Sequence, residues 1–187
     1  MRINSTIADI WRGEGYKKNI VLLDNDFFGQ PEESWESKIN EMVEGGYKVC
    51  FNQGLNVRLI NPKACRWLKR VKYYDDSFTK RRIYTAWDNV GDEKIFFNGV
   101  DMMEDAGISP KHLMVYMLIG YAKGETMDQI FYRYNKMIDR GVMPYPMVYD
   151  RKNKEHCYFQ RWVLRGYARF VKWEDFDKPA LRAKNRG

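Results

Sequence analysis

The chain is poor in the residues that most often announce chemistry. Its three cysteines, Cys50, Cys65 and Cys157, are scattered with no CxxC or CxxxCxxC spacing. That excludes a disulfide framework and a self-contained metal site, and reads as three buried thiols. Two histidines, His112 and His156, are too few for a histidine-rich metal centre; His112, just before a long apolar run, reads as structural. No apolar run approaches the roughly 20 residues that span a bilayer. The opening MRINSTIADIW lacks the apolar core of a signal peptide, so a cytoplasmic protein with no membrane partner is expected. No GxGxxG, Walker lysine motif, Ser-His-Asp or Cys-His arrangement can be assembled, leaving phosphate-cradling and nucleophilic-hydrolase chemistry without their key residues. There is no low-complexity linker either, and a single domain over residues 1–187 is expected.

What is present points to a folded core. Hydrophobic residues make up 44% and aromatic residues 16% of the chain, too apolar for a disordered polymer. The net charge of +7 permits an anionic partner, nucleic acid included, without naming one. The cations are spread: Arg66, Lys69, Arg70 and Lys72 together, Lys80 to Arg82 before a strand, and Arg182, Lys184 and Arg186 in the tail. Most read as solvated faces.

The pattern centres on Leu113 to Thr126, LMVYMLIGYAKGET. Seven apolar residues ending at Gly120 read as a strand buried on both faces, as in parallel sheets. Gly120 and Gly124 allow a tight turn, and Thr126 with Gln129 has the spacing of a capping box. A helix then carries Met127, Ile130, Phe131, Tyr134, Met137 and Ile138 on one face and stops at Gly141.

This strand, turn and helix unit recurs. Strands are predicted near 20–24, 47–52, 82–87, 113–119 and 142–149, the last an edge or irregular strand because of Pro144 and Pro146. Helices are predicted over 5–13, around Trp35 to Val43, from Asn61-Pro62 through Val71, over 92–106, and near 157–170, with a loose tail beyond Trp173. Five strands alternating with helices give an α/β fold with a parallel sheet.

Polar residues follow each strand: Asp24-Asn25-Asp26, Gln53 with Asn56 and Arg58, Asp88-Asn89, Gly120 through Glu125, and Tyr145-Pro146. In parallel α/β folds these ends converge on one pocket. Such groups suit a polar, zwitterionic, ribose-bearing molecule, with carboxylates and amides facing an ammonium and hydroxyls and Arg58 facing a carboxylate.

LLDNDFFG, FNQGLNVRLI, TAWDN, GVDMMEDAGI and LIGYAKGET, in this order, resemble the radical S-adenosylmethionine (SAM) superfamily over roughly residues 5 to 150. The resemblance implies a partial TIM-like (β/α) barrel of about five parallel strands with outer helices, followed by a C-terminal helix and tail over 151–187. It implies SAM as cofactor: Asp24, Asn25 and Asp26 at the methionine amino group, Asp88 and Asn89 at the ribose, and Gln53 and Arg58 toward substrate or the SAM carboxylate. Gly120, Gly124 and Glu125 would lie near the adenine, and Tyr145 would flank the pocket. The family also holds a [4Fe-4S] cluster on a CxxxCxxC loop after its first strand; that loop has no counterpart here. A fragment or split subunit is therefore expected, with the strand near residue 20 left unpaired and a companion chain supplying the cluster; alone, the chain is expected to be inactive. Two alternatives stand beside this: a non-catalytic relic or partner-binding subunit, and a basic nucleic-acid-binding α/β protein.

Overall fold

The computed structural model describes residues 6–24 and 26–176. The described residues form six strands, separated by helices except between β3 and β4: β1 (Asn19–Leu22), β2 (Lys48–Phe51), β3 (Lys72–Tyr73), β4 (Ile83–Ala86), β5 (Leu113–Ile119) and β6 (Met143–Val148). The helices are α1 (Ile7–Ile10), α2 (Glu32–Glu44), α3 (Pro62–Arg70), α4 (Glu93–Asp105), α5 (Met127–Asp139) and α6 (Lys154–Leu164). The strands form two parallel sheets, β1-β2-β3 and β4-β5-β6, and do not close into a barrel. All pairing is parallel and in chain order, as helical crossovers between strands require.

Local chemistry sets the element ends. Asn61 Oδ1 accepts from Ala64 N at 2.9 Å, and Pro62 opens α3. Thr126 and Gln129 complete the capping box of α5, with bonds of 3.3 and 3.0 Å. On β6, period two sends Pro144 and Pro146 away from β5 while Met143, Tyr145 and Met147 keep the ladder. Tyr149 N still reaches Ile119 O at 3.1 Å.

The two sheets meet where the chain leaves β2. Leu55 N donates to Tyr84 O at 2.8 Å, and Thr85 Oγ1 donates to Leu55 O at 2.9 Å. Gly54 makes this approach possible: its φ is +86°, and a Cβ there would stand 3.2 Å from Tyr84 O. One contiguous apolar core, including Ile39, Phe51, Leu68, Phe96, Val115, Met137 and Phe159, runs beneath both sheets.

Several expectations are corrected. Five strands become six, because β3 is a two-residue strand too short to show periodicity. β5 is not buried on both faces: Leu113, Val115, Met117 and Ile119 are covered by helices, whereas Met114, Tyr116 and Leu118 alternate with them on a half-open face. The opening helix is one turn, Ile7–Ile10, capped by Thr6, and Val71 ends α3 instead of extending its stripe. The last helix stops at Leu164, with a 3-10 turn over Tyr167–Arg169. Residues 174–176 are not loose: Phe176 is buried and stacks on Trp173 with centroids 6.0 Å apart. The rest of the expected tail, 177–187, lies outside the described residues. No helix among the described residues is long and apolar enough to cross a membrane.

Candidate functional site

Parallel strands put their carboxyl ends, and the polar residues that follow, on one rim. Beyond β2 and β4 the rim opens into a cleft of about 280 Å³. Gln53, Asn56 and Arg58 line it from the loop after β2, and Asp88 and Asp92 from the loop after β4. Thr85, Ala86 and Tyr116 form its floor.

The groups around the cleft differ in how far they are already engaged. Asn56 Oδ1 caps the short turn after it, accepting from Arg58 N at 3.1 Å, so its amide N–H groups remain for a ligand. Arg58 Nη2 pairs with Asp92 Oδ2 at 2.9 Å, with side chains 60% and 39% exposed, which leaves a solvated guanidinium free to re-pair. Asp88 Oδ1 accepts from Leu118 N at 2.6 Å. That bond ties the loop to β5 and leaves Oδ2 for the cleft. Gln53 is exposed and makes no bond among the described residues.

Tyr116 on the floor belongs to a tyrosine ladder across three strands. Tyr84 and Tyr116 stack at 5.7 Å with planes 6° apart, and Tyr145 meets Tyr116 edge-on at 5.5 Å. Burial, followed by the nearby Cys50 and Asp76, pushes the Tyr84 phenol up to about 12. Burial raises Tyr116 as well, with Tyr145 next in importance. Burial thus holds Tyr84 and Tyr116 as neutral phenols.

Not all the residues expected here converge. Asp24 lines a separate groove of about 640 Å³ between α1, α2 and the end of β1, where it accepts from Gln30 Nε2 at 2.8 Å. Asp26 is exposed at the start of the turn over Phe27–Gly29, and Asn25 lies outside the described residues. Asn89 caps the turn after β4, accepting from Gly91 N at 2.8 Å.

Gly120 and Glu125 form a closed structure of their own. One Glu125 carboxylate oxygen accepts from Gly120 N at 2.7 Å, and the other pairs with Arg133 Nη2. Arg133 is wholly buried and also donates to Trp87 O and Leu118 O, both at 3.0 Å. Gly120 has φ +77°, and a Cβ there would lie 2.5 Å from His156 Nδ1. Gly124 is open to space on the same turn. The expectation that all five clusters share one pocket is thus corrected: the cleft gathers Gln53, Arg58 and Asp88, while Tyr145 supports its floor through Tyr116. A buried arginine consumes Glu125, and the helical crossover over α2 carries Asp24 to the far edge.

Sequence reasoning missed Tyr116, Asp92 and Arg133. Arg133 left a signal: it sits three residues after Ile130 on the apolar stripe of α5, where a cation must have a buried partner.

The cysteines do not assemble. Cys50 and Cys65 are fully buried, and desolvation raises both thiols to about 11. Cys157 is half-buried, not buried as expected, and its Sγ lies 3.4 Å from Arg151 O. Among the described residues no group of His, Cys, Asp and Glu could hold a metal. His112 is structural, sharing a 2.9 Å bond with the Tyr73 hydroxyl.

Compared with protein-family models, with curated proteins and with solved structures, the chain matches none.

Proposed function

We propose that this cytoplasmic chain contributes the SAM-binding part of a radical SAM-type enzyme, its two sheets forming part of a curled, barrel-like wall. The observation that carries the reading is the cleft in which Gln53, Arg58 and Asp88 meet over Tyr116. These residues fit SAM. The Arg58 guanidinium would take the methionine carboxylate, the free Asp88 oxygen and the Gln53 amide would take ribose hydroxyls, and the Tyr116 ring offers a surface to the base. When bound, SAM supplies an activated carbon–sulfur bond; this chain's residues hold and orient it.

The [4Fe-4S] cluster of the family does not fit. A cluster needs thiolates, and Cys50 and Cys65 are held protonated by burial and do not line the cleft. A companion chain or segment would have to bring the cluster, and β1 offers it a place. Among the described residues β1 pairs only with β2, and Val21 and Leu23 are 47% and 70% exposed. A groove of about 530 Å³ lined by Ile10, Trp11, Tyr16 and Ile20 runs along it. An added strand would satisfy this edge through main-chain bonds. A nucleic-acid reading built on aromatic stacking platforms is weaker, because Phe27, Phe28 and Trp87 are packed in the core.

With no cluster to chelate the amino acid end, a few hydrogen bonds of about 0.5–1.5 kcal/mol each predict a SAM dissociation constant of about 0.1–1 mM. Calorimetry should show this for the wild type and severalfold weaker binding for Arg58→Ala and Gln53→Ala. Identical titrations for all three proteins, or no heat at millimolar SAM, would reject the site.

A further inference from the structure

The connections that lead into the strands are rich in cations, and parallel pairing brings these to the amino-terminal rim, opposite the cleft. Lys48 and Lys72 are register partners at the starts of β2 and β3. Lys18 directly precedes Asn19, which pairs with Lys48. Arg82 directly precedes Ile83, the partner of Leu113, and its Nη1 donates to Lys111 O at 3.4 Å. Lys69 and Arg70 end α3 on the same side. Residues distant in the chain thus form one basic band across the foot of both sheets.

This band is more than a solvated face. Among the described residues, no carboxylate lies within ion-pair distance of Lys18, Lys48, Lys72, Arg81, Arg82 or Lys111. The acids on this side are fewer: Glu14 before β1, Asp75 and Asp76 in the turn before β4, and Glu44, Glu104, Asp105 and Asp139 at helix ends. Asp75 is occupied by its own turn, accepting from Ser77 Oγ, Thr79 N and Lys80 N. Three cations are braced on rings: Lys48 Nζ 4.5 Å from the Tyr74 centroid, Arg81 Cζ 3.7 Å from Tyr73 and Arg70 Cζ 4.4 Å from Trp67. Stacking orients a cation while leaving N–H edges for an anion.

The rest of the surface narrows the partner. The opposite rim is mixed: Asp24, Asp26, Asp88, Asp92 and Glu93 stand beside Arg58, Lys123, Arg151, Lys152 and Lys154, so a polyanion is favoured at the amino-terminal rim. No large apolar side chain is exposed between residues 60 and 94 or between 96 and 120, so the band around Lys72, Arg82 and Lys111 lacks the anchors that an interfacial element puts into lipid; the exposed Ile10 and Tyr16 at the Lys18 end line the β1 groove. We propose that the amino-terminal rim binds the phosphate backbone of a nucleic acid, without base readout. The rings already carry cations, so contacts are electrostatic and not base stacking. This rim lies apart from the SAM cleft and its binding does not depend on it.

Anisotropy of a labelled duplex of about 20 base pairs, titrated with the full chain between about 50 and 200 mM salt, tests it. Lys72, Lys80 and Lys111 are exposed, and their side chains make no bonds among the described residues. The triple variant Lys72→Glu, Lys80→Glu, Lys111→Glu should therefore melt as the wild type does. It should bind at least about tenfold more weakly, with a salt slope shallower by about 0.9 for each phosphate that is no longer neutralised. The control Lys123→Glu, Lys152→Glu, Lys154→Glu changes the same charge on the other rim and should bind like the wild type. Equal losses in both triples, no wild-type binding at the lowest salt, or tighter capture by phosphatidylserine vesicles than by the duplex would each overturn the proposal.

Discussion

The loop after β2 and the turn after β5 present similar residues at the same rim: a left-handed glycine, an acidic or amide side chain, and a long cation. After β5 these groups satisfy one another. Glu125 bridges Gly120 N and the buried Arg133, whose other bonds go to the ends of β4 and β5. After β2 they face outward, with Gln53 unbonded and Arg58 in an exposed pair. The difference lies in where the cation originates. Arg133 rises from inside the apolar stripe of α5 and must neutralise itself within the fold. Arg58 sits on a short surface turn and has water as its alternative. Polar residues at strand ends therefore sort into structural and available groups by the depth of their partners.

Breaking the closed side should cost most. Glu125→Ala strands the Arg133 charge, so denaturant unfolding should show a loss of about 3–5 kcal/mol. A companion Glu125→Leu, Arg133→Met variant, which removes both charges, should recover a large part of it. Gly120→Ala comes next, at roughly 1–3 kcal/mol from the left-handed backbone alone, with the contact on His156 Nδ1 added. Thr126→Ala removes only the cap of α5 and should cost about 1 kcal/mol. On the open side, Arg58→Ala should change stability by no more than about 0.5 kcal/mol while weakening SAM. A large stability loss at Arg58 would erase the distinction between the two loops.

Alkaline pH sharpens the comparison from beneath the cleft. Burial raises Cys50 and Cys65 from the ordinary thiol value of 9.0 to about 11, and Tyr84 from 10.0 to about 12. For acids whose folded pKa is raised, the stabilisation is complete below the unfolded value and disappears as pH climbs through the folded one. Unfolding free energy should therefore fall from about pH 9 upward, and Cys50→Ala, Cys65→Ala should flatten the part of the fall due to the thiols. Thiol labelling at neutral pH should modify Cys157 first and reach the other two only on unfolding.

Much of this fold was legible in the sequence because it is written in local chemistry. The capping box at Thr126 and Gln129, the Asn61-Pro62 start and the α/β alternation all depend on residues within a turn of one another. What was hidden depends on distant partners. The continuous apolar run of β5 concealed an alternation that only the neighbouring strands reveal, since Tyr84, Tyr116 and Tyr145 come from three of them. β3 exists because Lys72 and Tyr73 lie beside Lys48 and Val49, a pairing no two-residue pattern could announce. Glu125 looked like a ligand contact because its partner lay eight residues ahead. Asp24 resembled the cleft residues by type and was separated from them by position on the rim.

Which of these loops receives the ligand is the decisive question. Amide chemical-shift mapping at millimolar SAM reads all of them in one experiment. Shifts are predicted at Gly54 to Arg58 and at Thr85 to Asp88, with Gly120 to Glu125 and the Asp24 groove unmoved. Shifts confined to Gly120–Glu125 or to residues 24–30, with the cleft silent, would contradict the SAM assignment.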